Sequence, residues 1–109
     1  MNDILLVFTN LPDDASAEKL AHLLVEARAA ACVNRLAPCI STYRWKNDIE
    51  TATEVPMLIK TTRAAYPRLE KLIREAHPYE LPEIVAVPVT AGFPAYLDWV
   101  SGESDTPKE

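Results

Sequence analysis

Two extended segments meet at Asn47-Asp48, and their combined length constrains the fold more than any other feature of the chain. Cys32 to Lys46 reads as extended, with a bulge or bend near Pro38. Ile49 to Thr61 returns as a strand in which Val55, Met57 and Ile59 share one face and Glu54, Leu58 and Lys60 the other. Asn47 and Asp48 tolerate the left-handed backbone that a tight hairpin requires. Arms of up to about 13 residues would each reach about 40 Å. A domain of 109 residues is only about 30 Å across. The distal part, with Tyr43, Trp45 and Ile49, would then stand clear of its own domain, where apolar strand surface pairs with other chains. Pro56 lies inside the second arm and cannot donate to a ladder, so it needs an edge, a bulge or an outward-facing nitrogen.

The remaining segments supply two α-β units around this hairpin. Ile4 to Thr9 is a short apolar first strand, and Leu11 to Asp14 a turn. Ser16 can cap a helix over Ser16 to Ala30, with Leu20, Leu23, Leu24, Ala27 and Ala31 at helical spacing. Tyr66, Leu69, Leu72, Ile73 and Ala76 mark a second helix with Pro67 in its first turn. Glu83 to Val89 reads as the last strand, and Pro94 to Val100 as a short closing helix. The order β-α-β, β-α-β plus a helix predicts an α+β, ferredoxin-like sandwich: helices on one face of an antiparallel sheet, a long central β-hairpin and a short C-terminal helix. One domain over residues 1–100 is expected, followed by a flexible tail from Ser101 onward.

Composition narrows the function classes. Apolar residues make up 49% and charged residues 25%, which suits a globular chain; net charge is −5 with no long basic run, so nucleic-acid or anionic-membrane partners are disfavoured. No run is long and apolar enough for a membrane span or a leader, and Cys32 and Cys39 form no Cys-x-x-Cys pair, so a reducing cytoplasm is the expected compartment. Phosphate-cradling glycine loops and the familiar hydrolase signatures are absent, and the chain is read as non-enzymatic.

Chemistry concentrates in His77-Pro78-Tyr79-Glu80-Leu81-Pro82-Glu83-Ile84. The prolines stop the helix near His77 and stiffen the backbone beyond it. His77 is either a helix-terminal cation resting on the last carbonyls or a ligand nitrogen with Glu80 and Glu83 adding oxygen. Cys32 reads first as a small buried residue, with a soft metal ligand or nucleophile as the alternatives, and His22 as a solvated helix residue. Lys60 needs a partner, for which Glu54, Glu80 and Glu83 are candidates. That pairing is either an interface ion pair or one wall of a polar pocket between subunits.

His77 to Ile84, with Glu54-Val55-Pro56-Met57-Leu58-Ile59-Lys60-Thr61-Thr62-Arg63, Ala30-Ala31-Cys32-Val33-Asn34, Ser41-Thr42-Tyr43-Arg44-Trp45 and Tyr96-Leu97-Asp98-Trp99, resembles the CutA family of divalent-cation-tolerance proteins from about Ile4 to Val100. The resemblance implies the ferredoxin-like fold, a homotrimer with edge strands of neighbouring chains paired, and a role in copper tolerance. Tyr43, Trp45, Glu54, Lys60 and Tyr79 match its pattern and are expected at the pocket or interface, with Cys32. Family members proposed to bind copper use a thiol in the first strand and a His-His pair; here Thr9 and Ala76 stand at two of those positions, leaving His77. Cys39 falls where the family usually has glycine. Copper binding is therefore expected to be weak, through His77 with Glu80 or Glu83, and to fade as pH falls through about 6.5. A PII-like signalling trimer, holding a small metabolite or anion in an inter-subunit cleft near Lys60, is the rival reading.

Overall fold

The computed structural model describes residues 3–104. Its elements run β1 (Ile4–Leu11), α1 (Asp14–Glu26), β2 (Cys32–Arg35), β3 (Cys39–Trp45), β4 (Asp48–Thr62), α2 (Tyr66–Ala76), β5 (Val85–Pro88) and α3 (Pro94–Glu103). The sheet order is β2-β4-β1-β5, every pairing is antiparallel, and β3 pairs with the distal half of β4. This is the expected α+β ferredoxin-like sandwich with its central hairpin and closing helix.

Strand alternation divides the sheet into two unlike faces. Leu5, Val7 and Leu11 of β1 and Val55, Met57 and Ile59 of β4 point at the helices, where they pack with Ala17, Leu20 and Leu24 of α1 and Leu69 and Ile73 of α2. The opposite face is covered only at one end, where Val100 and Leu97 of α3 close over Ile4 and Ala31. Leu6, Phe8 and Leu58 on that face are half-buried, and Val85 and Val87 are exposed.

The hairpin shows how a proline fits inside a long strand. Arg35 stands opposite Met57 and Cys39 opposite Glu54, so Leu36, Ala37 and Pro38 face only Val55 and Pro56. One extra residue on the first arm makes a β-bulge. The Pro56 carbonyl accepts from Leu36 N at 2.9 Å, and N and C=O of one strand residue point to the same side. The donor that proline lacks therefore falls at the bulge, where no ladder bond is needed. The turn differs by one position from expectation: its central residues are Lys46 and Asn47, with φ of 51° and 73°, and Asp48 already pairs with Trp45. Two positive φ values make a turn whose twist matches the strands. The molecule measures 44 × 31 × 23 Å, and β4 alone runs through 15 residues.

Several boundaries move for local reasons. Helix α1 begins two residues early because Asp13, not Ser16, is its cap: Asp13 Oδ1 accepts from Ser16 N at 2.7 Å, which also holds the Asp13 carboxyl below its ordinary range. It ends at Glu26 rather than Ala30 because Arg28 turns left-handed at φ 58° and Arg68 donates to the freed carbonyls of Ala27 and Arg28 at 2.6 and 3.0 Å. Leu23 consequently faces solvent rather than the core. The last strand is shorter than expected, Val85–Pro88 instead of Glu83 to Val89. Helix α3 continues past Val100 through Glu103, with Ser104 buried, so the expected tail does not begin at Ser101; residues 105–109 lie outside the described residues.

Candidate functional site

His77 closes α2. The following proline forces it into extended backbone (φ −75°, ψ 135°), and its N–H still bonds to Ile73 O at 2.8 Å. The ring turns inward and is 8% exposed. Nε2 donates to the Asn10 carbonyl at the end of β1, at 2.6 Å, and Nδ1 accepts from Tyr79 N at 3.2 Å. A carbonyl can only accept and a backbone N–H can only donate, so the imidazole is neutral with its proton on Nε2. Burial pushes its pKa below the ordinary histidine value; the bond to Asn10 and the charge of Glu54 oppose that only in part. Neither nitrogen carries a lone pair free for a metal while both bonds hold. His77 instead ties the end of β1 to the proline-stiffened segment 78–83.

That tie sets the geometry of a groove of about 790 Å³. One wall is a single face of the hairpin, carrying Ser41, Tyr43, Trp45, Glu50, Ala52 and Glu54; the register places Ser41 opposite Ala52 and Tyr43 opposite Glu50. The other wall is Pro78, Tyr79, Glu80, Leu81 and Glu83. Asn10 joins them: its Nδ2 reaches Glu54 Oε1 at 3.4 Å and Glu83 Oε1 at 3.3 Å. The Tyr79 ring lies 4.7 Å from the His77 ring. Burial, then the Glu54 hydrogen bond and charge, push the Tyr79 phenol up to about 12.

The expected site residues separate into two places. His77, Glu80, Glu83, Tyr79, Glu54, Tyr43 and Trp45 gather at or behind the groove. Lys60 and Cys32 lie at the other end of the sheet. There Lys60 Nζ bonds to Asn34 Oδ1 at 2.8 Å, with the Cys32 sulfur at 4.0 Å. Within one chain Lys60 thus meets Asn34, two residues along β2 from its direct partner Cys32, while the expected pairing with Glu54, Glu80 or Glu83 is one between subunits. Cys32 is half-buried beside a polar pair, not sealed among apolar atoms. Cys39 is half-buried near Ser41, and His22 is exposed on α1. Thr9, at the first-strand position where family members carry a thiol, is fully buried on the helix side, and its hydroxyl finds no partner among the described residues. No group of three or more His, Cys, Asp or Glu side chains converges as a metal cage among the described residues. The residues present therefore do not form a ready-made copper centre.

Sequence reasoning passed over Asn10 and Glu50. Both carried a signal: Asn10 is the polar end of an otherwise apolar alternation, and Glu50 sits four residues before Glu54 on the same strand face.

The chain matches the family model described as CutA1 divalent ion tolerance protein over residues 5–103. It is 44% identical over 93 residues to Protein CutA of Mus musculus, covering 85% of this chain but only 52% of the mouse protein. It is 40% identical over 100 residues to the divalent-cation tolerance protein CutA of Thermus thermophilus, covering 92% and 95% of the two chains. The crystal structure of CutA from Xylella fastidiosa superposes with a TM-score of 0.92 at 44% identity, over 94% of this chain and 99% of that one. CutA1 from Oryza sativa gives 0.93 at 26% identity, with 97% of each chain covered. A match over nearly every described residue, in sequence and in backbone, leaves one conclusion: the chain belongs to the CutA1 divalent ion tolerance family.

Proposed function

We propose that this protein serves divalent-cation tolerance as a non-enzymatic homotrimer in the cytoplasm, contacting copper weakly through the groove rather than through a dedicated cage. The observation that carries the assembly is the apolar surface left without cover. Ile40 and Ile49, on the hairpin face away from the groove, are 73% and 62% exposed, and Val85 and Val87 are exposed on the other face of the sheet. Such surface on an edge strand is covered by further copies of the chain; that the copies number three follows the CutA resemblance. Trp45, expected at the pocket or interface, lines the groove, and Ile40 and Ile49 are the further residues we assign to the assembly. Two free thiols suit a reducing compartment.

The weak copper contact rests on Glu80 and Glu83 at the groove, because His77 would first have to give up its bonds to Asn10 and Tyr79. Carboxylates alone suit hard cations better than copper, so affinity is low. Light scattering after size exclusion tests the assembly: the expected mass is three chains, Ile40→Asp with Ile49→Asp lowers it, and a monomeric mass at micromolar concentration refutes the reading. Calorimetry with Cu(II) tests the contact. The double variant Glu80→Gln, Glu83→Gln weakens binding and His22→Ala leaves it unchanged; binding untouched by the double variant places the ion elsewhere.

A second reading has one observation in its favour. The groove is the size of a small-molecule site, as a PII-like sensor requires. Its lining opposes an anion, since four glutamates face it with one arginine, and Lys60 is not among them.

A further inference from the structure

We propose that the fold itself denies this chain a thiol–imidazole copper centre, so that putting back the two absent donors would not rebuild one. The centre in question is the one the CutA resemblance implies: a thiol on the first strand and two adjacent histidines after the second helix, where Thr9, Ala76 and His77 stand. The ion concerned is Cu(I), which such soft donors select. The inference is independent of the Cu(II) contact at Glu80 and Glu83, which stands or falls by its own calorimetry.

Position 9 belongs to the core. Thr9 is 0% exposed. Val7 and Leu11, its neighbours on the same face of β1, and Met57, its partner across β4, are fully buried with it. That burial is complete within one chain. Further copies only remove more surface, so no assembly opens a path to the site. The Thr9 hydroxyl has no hydrogen-bond partner among the described residues, so no polar group waits there to steady a charged ligand. A thiol in apolar surroundings stays protonated, whereas a metal takes the thiolate. At this position it would act as a small core residue.

The other two positions face elsewhere. Ala76, the last residue of α2, is exposed. An imidazole placed there stands outside the core, while an ion touching position 9 must first displace packed side chains. His77 is buried between them, with Nε2 on the Asn10 carbonyl at 2.6 Å and Nδ1 on Tyr79 N at 3.2 Å. Turning its ring to an ion leaves those backbone groups without their partners. The three positions are thus a core site, a surface site and an anchor.

The test is the double variant Thr9→Cys, Ala76→His beside the unaltered protein, each titrated with Cu(I) in the absence of oxygen against a chromogenic Cu(I) chelator. Equal affinities are expected, since Cys32 and Cys39 are common to both. Partners of metal ligands alone change affinity by about tenfold or more, and two true ligands would do no less. Tightening of that size in the double variant overturns the proposal. Iodoacetamide, with the modified peptide located by mass spectrometry, should reach the thiol of Thr9→Cys only at urea concentrations that unfold the chain; alkylation of that thiol in the folded protein also overturns it. A third measurement needs no variant and decides the matter should the double variant fold poorly. The ring nitrogen NMR shifts of His77 in the unaltered protein should keep the pattern of the neutral ring protonated on Nε2 as Cu(I) is added. Movement of either nitrogen shows that the ring leaves its anchors for the ion, and refutes the proposal.

Discussion

Replacing His77 by alanine separates an anchor from a ligand. The imidazole is buried, and its two bonds join β1 to the segment after α2. Alanine leaves the Asn10 carbonyl and the Tyr79 N–H without those partners and opens a ring-sized space behind the groove. Each lost hydrogen bond costs about 0.5–1.5 kcal/mol net, and more where a group stays dry and unpaired. With the space included, a destabilisation of about 2–4 kcal/mol is expected. For a chain of this size that moves the urea midpoint down by roughly 1–2 M. Urea unfolding followed by circular dichroism, at fixed protomer concentration because an oligomer's stability depends on it, gives the number.

The pH dependence tests the same reasoning independently. The folded protein holds His77 neutral to a lower pH than the unfolded chain, whose histidine titrates near 6.5. Below 6.5 the unfolded state therefore binds a proton that the folded state refuses. Stability should fall as pH drops from 6.5 toward the depressed folded value, by at most about 1.4 kcal/mol per pH unit. His77→Ala removes this part of the slope, and His22→Ala, on the exposed face of α1, does not. A midpoint unchanged within about 0.5 kcal/mol, the scatter of neutral surface changes, refutes the anchor. An acid slope identical with and without His77 refutes the assigned protonation state.

Two further outcomes come from the same geometry. Tyr79 is held protonated to about 12 against an ordinary 10.0, so stability present below pH 10 should be lost as pH rises through 12, and Tyr79→Phe should abolish the corresponding late step in the phenolate absorbance titration. Ile59→Ala, at a fully buried position in the main core, should cost about 2–5 kcal/mol and lower the thermal midpoint without altering Cu(II) affinity per folded chain.

Much of the fold is legible in the sequence because its signals are local. Alternation in Val55, Met57 and Ile59, helical spacing in Leu69, Ile73 and Ala76, and the proline at the start of α2 each act within a few residues. The bulge at Pro38 and the tolerance of Pro56 could also be anticipated, since proline's missing donor must be accommodated wherever it falls. The boundaries of α1 could not, because Arg68, forty residues further on, satisfies its last carbonyls.

The site divides along the same line. The sequence by itself determines that His77 ends a helix before stiff backbone, that glutamates and aromatics are concentrated in Tyr43 to Glu54 and Tyr79 to Glu83, and that the hairpin outgrows its domain. Only the tertiary structure decides who meets whom. Lys60 and Glu54 share a strand face, yet six residues of extended chain hold them roughly 20 Å apart, so within one chain Lys60 pairs with Asn34 and Glu54 meets Asn10. His77 carries ligand chemistry as a residue type, but packing against β1 turns both nitrogens to structural use. A residue's chemistry is fixed by its own atoms, whereas its availability depends on hydrogen bonds to segments distant in the chain, and those exist only after folding.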